Sequence, residues 1–125
     1  MTEYRGSLEF RIVRDTPEQT VAEMPIAPGM LNPFGTVHAG ALTWFADVTA
    51  TTLALQGRTL SPGMSGFPLA TNLNVQLLGN RAEGLLTATA RFVKRGRTLV
   101  VVRTEVRAED GALLLELTST HLMSR

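Results

Sequence analysis

Residues 38–55 read HAGALTWFADVTATTLAL, a proline-free stretch that is rich in alanine and leucine and long enough for several helical turns. Its apolar positions continue nearly all the way round the helix axis, which is typical of a helix that is buried on most sides. Asp47 is its one charged residue. The stretch therefore predicts a core helix, and Thr36 is placed to act as its N-cap.

Strand patterns lie on both sides of this helix. Residues 7–14 alternate apolar and polar side chains, whereas residues 25–35 contain three prolines and two glycines and indicate an ordered loop. Stretches rich in leucine, valine or threonine predict strands at about residues 68–78, 85–94, 98–107 and 112–122. Turn signals at Gly79-Asn80, Arg95-Gly96 and Asp110-Gly111 separate these four strands, so we expect them to pair as an antiparallel meander. The order predicts one α+β domain over residues 1–125, with a sheet curled around a central helix.

Composition excludes several classes of function. The 12 lysine and arginine residues nearly balance the 11 acidic ones, so no nucleic-acid partner is expected. Cysteine is absent, and His38 and His121 lie far apart in sequence, so we expect no disulfide, no metal site and no cofactor. The N-terminus lacks an apolar signal segment and no run of about 18 apolar residues occurs, which favours a cytoplasmic protein without a membrane partner.

The start of the predicted helix is a candidate oxyanion site. The first N–H groups of a helix have no partner within it, and the helix dipole adds positive potential there. Ala39 and Gly40 occupy these positions, and their small side chains would let a substrate carbonyl oxygen approach the backbone closely. Such a site is what acyl transfer needs.

Asp47 is the candidate catalytic carboxylate. A carboxylate within an apolar helix costs several kcal/mol unless it is paired, hydrated or neutralised. A hydrogen bond to a nearby group in the core, or contact with water, would explain the residue without any function. Asp47 on its own therefore leaves both interpretations open.

A set of residues around the helix resembles the motif of the PaaI-like (phenylacetic acid type) acyl-CoA thioesterases of the hotdog superfamily. In that family an asparagine and a glycine-containing loop precede a His-Gly-Gly helix start, and an aspartate follows within the helix. The corresponding residues here are Asn32, Gly35, His38, Ala39, Gly40 and Asp47. The resemblance covers about the whole chain after residue 25 and implies the hotdog fold, a curved antiparallel sheet wrapped around one long central helix.

The resemblance also implies hydrolysis of an acyl-CoA thioester to free acid and CoA. The N–H of Ala39, with that of Gly40, would hold the carbonyl oxygen, and Asn32 would position the loop or the substrate. Asp47 would activate water as a general base or attack the carbonyl directly. His38 competes for the acid/base role, although a histidine at a helix start more often holds a loop by hydrogen bonding.

Two departures from the family pattern concern the site. Alanine stands at position 39 where the family usually has glycine, which keeps the backbone donor but adds a methyl group. Many relatives carry a serine or threonine that orients the attacking water near Ala70, where Thr71 would be one residue out of register. Ser65 and Thr51 are other hydroxyls that could assist.

Several further residues are candidates for contacts with the substrate. Arg95 and Arg97 flank a glycine at a predicted turn and could reach the phosphates of CoA, although basic residues on turns are often only solvated. Trp44, Phe45 and Phe34 could line an acyl or aryl pocket, or could belong to the core.

Helix geometry favours a homodimer. Eight residues at about 1.5 Å rise separate Ala39 and Asp47 by roughly 12 Å along one helix, whereas a base and an oxyanion donor must both come within about 3 Å of their targets. Two antiparallel helices from neighbouring subunits would bring Asp47 of one chain near residues 32–40 of the other. The resemblance implies the same composite sites, and many relatives pair such dimers into a homotetramer.

Two other functions remain open. A hotdog hydratase or dehydratase acting on an acyl-CoA would use His38 together with a carboxylate. A non-catalytic acyl-CoA binding domain would be compatible with the same fold.

Overall fold

The computed structural model describes residues 2–124. Its elements in chain order are β1 (Arg11–Asp15), β2 (Gln19–Pro25), a short 3-10 helix (Pro28–Met30), α1 (Ala39–Ala54), β3 (Pro68–Leu77), β4 (Leu85–Arg95), β5 (Leu99–Arg107) and β6 (Leu113–Met123). The six strands form one antiparallel sheet in the order β1-β2-β4-β5-β6-β3.

The core lies between α1 and the inner face of the sheet. The helix contributes Leu42, Phe45 and Leu53, and the sheet contributes alternate residues such as Met24 and Leu117, all at most 1% exposed. Burying a large apolar side chain stabilises the fold by about 1.5–3 kcal/mol, so this layer holds the helix against the strands. The expected curved antiparallel sheet around a single central helix is confirmed.

The start of the chain differs from the sequence prediction, which missed β2. Residues 7–10 have no regular secondary structure and lie outside the sheet, and the first strand begins only at Arg11. The second strand alternates buried and half-buried residues, with Thr20, Ala22 and Met24 facing the core. Threonine, alanine and methionine do not form the strongly apolar, β-branched pattern that identifies a half-buried strand, so the sequence pattern does not indicate a strand here.

The predicted meander is correct for β4, β5 and β6 but wrong for β3, which pairs with β6 and not with β4. The turn signal at Gly79 and Asn80 therefore belongs to a crossover and not to a hairpin. The N–H groups of Leu78 and Gly79 donate to the carbonyl of Leu114, which directs the chain away from β3. As a result β3 is an edge strand with one side free.

Candidate active site

The start of α1 presents uncapped backbone donors. The helix begins at Ala39, and the side chain of the N-cap residue, His38, makes no capping hydrogen bond. Ala39 and Gly40 are exposed, and a Cβ added at Gly40 would meet no atom within 4 Å. The first N–H groups of the helix are therefore open to a ligand, as an oxyanion site requires. The prediction of Thr36 as N-cap is wrong, because that hydroxyl accepts a hydrogen bond from the Asn32 side chain.

Asn32 shapes the loop that leads to this helix start. Its Nδ2 donates to Thr36 Oγ1 over 2.9 Å, and its Oδ1 accepts from the N–H groups of Phe34 and Thr36. The backbone adds two turn bonds, from the N–H of Asn32 to the carbonyl of Thr36 and from the N–H of Gly35 to the carbonyl of Asn32. Since these bonds use both ends of the amide, Asn32 positions the loop in this structure.

Asn80 is a second anchor of the helix start that sequence reasoning read only as a turn residue. Its Nδ2 donates to the carbonyl of Val37 over 2.7 Å, and its Oδ1 accepts from the N–H of Val37 over 3.2 Å. The N–H of His38 donates to the carbonyl of Met30. The residues just before α1 are thus held from two sides, and the His38 side chain itself is exposed.

Asp47 lies two turns into α1 and is half-buried. Its Oδ1 is fully enclosed and has no hydrogen-bond partner. Burial raises the pKa of this carboxyl above the ordinary value of 3.8, and the neighbouring His121 opposes part of that increase. Oδ1 therefore has no partner in the core, contrary to the interpretation of Asp47 as a hydrogen-bonded core residue. The raised pKa makes the carboxylate a stronger base than an exposed aspartate.

His121 is the neighbour that sequence reasoning missed. It is fully buried on β6, and its Nε2 lies 2.8 Å from Ser119 Oγ. Burial lowers the pKa of its imidazole, while the Pro68 carbonyl and the Asp47 charge oppose that decrease. The one feature of the sequence that could have indicated this residue is that a histidine occupies an inward-facing position of an otherwise apolar strand.

The three predicted hydroxyl residues occupy different places. Thr51 is half-buried on α1, one turn beyond Asp47. Thr71 lies at a bulge of β3, and its hydroxyl donates to the carbonyl of Thr120 over 3.4 Å. Ser65 is exposed in the connection between α1 and β3. Of these, only Thr51 shares an element with Asp47.

The predicted phosphate-binding arginines lie at the far end of the helix. Arg95 stacks over the Phe92 ring at 4.2 Å and borders a cavity of about 240 Å³ that also touches Gln56 and Gly57, just beyond the last turn of α1. Arg97 is exposed in the following turn. A helix of 16 residues is about 24 Å long, so one protomer does not bring these arginines to its own helix start.

The aromatic candidates divide between core and surface. Phe45 is fully buried and belongs to the core, whereas Phe34 is 91% exposed. Trp44 is half-buried under Phe10, at 4.9 Å between ring centroids, and Phe10 also contacts Phe45 at 5.0 Å.

A cleft adjoins the helix start beneath the chain segment of residues 6–10, called here the N-terminal strap. The strap is held by the N–H of Ser7, which donates to the carbonyl of Gly29 over 2.9 Å, and by the Phe10 contacts. Two cavities of about 330 and 440 Å³ share Leu8 and Met30, and the smaller one reaches His38 and Gly40. The cleft is thus an apolar space that opens beside the uncapped N–H groups.

The described residues offer neither a metal site nor a membrane-spanning helix. Within residues 2–124, no group of three or more histidine, cysteine, aspartate or glutamate side chains is arranged to hold a metal ion. In the same part of the chain, α1 and the 3-10 helix lack the length and hydropathy needed to span a bilayer.

Comparison with known proteins gives consistent matches. Residues 1–123 match a family described as "Domain of unknown function (DUF4442)". The chain is 30% identical over 108 residues to the "Putative esterase ComA2" of Bacillus subtilis, which covers 86% of this chain and 83% of that protein. A mutant of the thioesterase SAV0944 from Staphylococcus aureus superposes with a TM-score of 0.84 at 21% identity, covering 93% of each chain. The protein smu.793 from Streptococcus mutans, solved bound to acetyl-CoA, gives a TM-score of 0.83 at 18% identity, covering 99% of this chain and 95% of that one.

Proposed function

We propose that this chain, which belongs to the DUF4442 family, hydrolyses the thioester bond of an acyl-CoA to give the free acid and CoA. The observation that carries this proposal is one helix with an open, uncapped N-terminus and, eight residues further on, a half-buried carboxylate with one enclosed, unpaired oxygen. The relative ComA2 is named an esterase, SAV0944 a thioesterase, and smu.793 binds acetyl-CoA, which all support the same chemistry.

In the proposed reaction, the thioester carbonyl oxygen accepts hydrogen bonds from the N–H groups of Ala39 and Gly40. Asp47 takes a proton from a water molecule, whose oxygen attacks the carbonyl carbon. The helix start stabilises the negative charge that develops on the carbonyl oxygen. The carbon–sulfur bond then breaks, the CoA thiolate leaves and takes a proton, and the free acid remains. Direct attack by Asp47 to form a mixed anhydride is the alternative route to the same products.

The reaction needs two subunits. Because α1 is continuous from Ala39 to Ala54, its start and Asp47 stay roughly 12 Å apart within one protomer. A homodimer with antiparallel helices would place Asp47 of one protomer beside the Ala39 and Gly40 of its partner. It would also bring Arg95 and Arg97, beyond the end of one helix, to the same end of the molecule as the partner's helix start, where they could bind CoA phosphates.

Edge strand β3 is the surface proposed for this pairing. Leu73 and Leu77 pair with the buried Ser119 and Leu115 of β6 and so face the inner side of the sheet, yet they are 43% and 53% exposed. Apolar residues on an uncovered inner face, next to unpaired strand backbone, form a surface that a second copy would cover. A further pairing of dimers would give the tetramer that the resemblance implies.

The acyl group is proposed to lie in the cleft beneath the N-terminal strap. Its lining by Leu8 and Met30 suits an apolar chain, and because Gly40 also lines it, an acyl group bound there would have its carbonyl end beside the helix start. The substrate class is therefore an acyl-CoA with an apolar acyl group, aliphatic or aromatic.

The test measures free-thiol release from short, medium and long aliphatic and aryl CoA esters. We expect Asp47→Asn to lower kcat by about 10²–10⁴-fold while the protein stays folded and dimeric. Asp110→Asn is the matched control, because that carboxylate is exposed on a turn and bound to Arg81. Full turnover in Asp47→Asn would reject Asp47 as the base. Loss of enoyl absorbance without thiol release would favour a hydratase, and binding of CoA esters without any reaction would favour a binding domain.

A further inference from the structure

Asp47 and His121 each carry an enclosed polar atom without a hydrogen-bond partner, and the two groups interact electrostatically. Asp47 Oδ1 and His121 Nδ1 are both enclosed and unpaired, and Thr104 Oγ1 is the only other such side-chain atom in residues 2–124. The charge of Asp47 acts on His121 and the imidazole acts on Asp47. One group can accept a hydrogen bond and the other can donate one, so they complement each other.

Strand register places the imidazole on the helix side of the sheet. His121 pairs directly with Val100 on β5 and with Ala70 on β3, and directly paired residues share a face. Val100 is fully buried and lies on the same face of β5 as Val102, which belongs to the core cluster that includes α1, so this is the inner side. The facing residues on β3 and β5 are apolar, and Asp47 on α1 is the one charged group that acts on this histidine among the described residues.

The neighbours of the ring select its tautomer. Ser119 Oγ lies 2.8 Å from Nε2, and its hydroxyl can donate to that nitrogen. The other groups that act on the ring, the Pro68 carbonyl and the Asp47 carboxylate, are both acceptors. The proton of a neutral imidazole therefore belongs on Nδ1, where the Pro68 carbonyl and the Asp47 carboxylate are the two available acceptors.

We propose that His121 is a positioning residue for Asp47, whose Nδ1–H donates to Oδ1 when substrate closes the site and so directs the second carboxylate oxygen at the attacking water. Hydrogen bonds of catalytic groups are often long before substrate binds and shorten in the complex. Ser119 fixes the tautomer that makes this possible. The inference rests on the proposed thioester hydrolysis, and it adds His121 and Ser119 to that site.

Variants at position 121 separate positioning from packing. His121→Phe keeps an aromatic ring but removes the donor, and misplacing the carboxylate should lower kcat on the order of 100-fold with little change in KM. Because His121 opposes the rise in the Asp47 pKa, its loss should also move the acid limb of the kcat/KM profile to higher pH. His121→Asn keeps an N–H near the position of Nδ1 and should recover most of the activity.

Matched controls test for a purely structural role. Thr104→Val removes the third unpaired polar atom from the same core and should leave both kcat and the pH profile unchanged. Ser119→Ala leaves the imidazole ring in place and should lower kcat less than His121→Phe does. If His121→Phe does not fold, Ser119→Ala provides the test in its place. The proposal is overturned if a folded His121→Phe variant keeps the wild-type kcat and the acid limb of its pH profile does not move. It is also overturned if His121→Phe and His121→Asn lose the same amount of kcat.

An NMR measurement keeps this inference separate from the proposed activity. Nitrogen-15 spectra of the imidazole, recorded with an unreactive CoA thioether bound, should show the Nδ1–H tautomer in both the wild-type protein and Asp47→Ala, and the Nδ1 resonance should shift in Asp47→Ala because its hydrogen-bond acceptor is lost. An unchanged ring spectrum in Asp47→Ala would refute the contact even if thiol release is robust. A protein that releases no thiol but shows the spectral change would retain the His121–Asp47 contact while refuting the proposed function.

Discussion

Substituting Gly29 by alanine should widen the cleft beside the helix start without touching any proposed catalytic group. A Cβ at this position would lie 3.2 Å from the backbone nitrogen and from the Cβ of Ser7, and closer still to Ser7 Oγ. The hydroxyl can rotate away, but the backbone nitrogen and Cβ can separate from the new methyl group only if the N-terminal strap moves outward. The strap, a wall of the proposed acyl site, is therefore the part that yields.

The size of the effect follows from the contacts that hold the strap. Overpacking of this kind costs about 1–3 kcal/mol, and the Ser7 to Gly29 hydrogen bond that would stretch contributes about 0.5–1.5 kcal/mol. A change of about 1–3 kcal/mol weakens strap docking about 5- to 150-fold. We expect kcat/KM for long or bulky acyl-CoA esters to rise relative to short ones by at least about 5-fold, because the wall no longer limits the cleft.

The assay is thiol release across a series of acyl chain lengths, with a second-site variant as the control. Ser7→Gly in the Gly29→Ala background removes the crowded hydroxyl and Cβ and should return the chain-length ratio toward that of the wild type. Ser7→Gly alone should change the ratio little. The reasoning is refuted if folded Gly29→Ala keeps the wild-type ratio, or if Ser7→Gly fails to reverse the change.

Three further outcomes are expected. Burial disfavours the ionised form of Asp47, so the pKa of its carboxyl is higher in the folded than in the unfolded protein. The folded protein loses no stability from this below the pKa of the unfolded state, and the loss is complete above the pKa of the folded state. Asp47→Asn should thus raise the free energy of unfolding at neutral pH while lowering turnover. Chemical denaturation that shows no gain in stability at neutral pH, or an equal gain in acid, would contradict this. Leu73→Lys should weaken the β3 pairing and make specific activity fall on dilution, as sedimentation and dilution assays would show; a fully active monomer would refute the composite site. Arg95→Ala should raise KM for CoA esters by about 10-fold at low salt with kcat unchanged, and an unchanged KM would remove it from the CoA site.

Local pattern was enough to predict the helix, because its composition leaves little freedom. The predicted 38–55 and the observed Ala39–Ala54 differ by one residue at each end, and the later strands differ by about as little. Asp47 lies within the helix, half-buried, whereas the predicted N-cap at Thr36 was wrong because the helix begins two residues later than that cap would place it.

Long-range pairing was not predictable from spacing. The sequence signal at Gly79 and Asn80 is the same for a hairpin and for a crossover, and only the pairing of β3 with β6 decides between them. His121 was missed for the same reason, since its neighbour Asp47 is 74 positions away in the chain and no local pattern joins a strand residue to a helix residue. Conversely, Asn32 was recognised by motif, but its role in the loop became clear only from its hydrogen bonds.

The free edge of β3 has a consequence for how this protein can change over evolutionary time. In the proposed two-fold pair, every contact that a residue of that strand makes across the interface occurs twice, once on each side of the symmetry axis. A single altered codon therefore modifies the pairing twice and affects both catalytic centres at once. Mutations on β3 act with doubled strength on the assembly, whereas those at the rim of the acyl cleft change the two centres without changing the contact between the subunits, so new substrate preferences can arise there while the assembly stays the same.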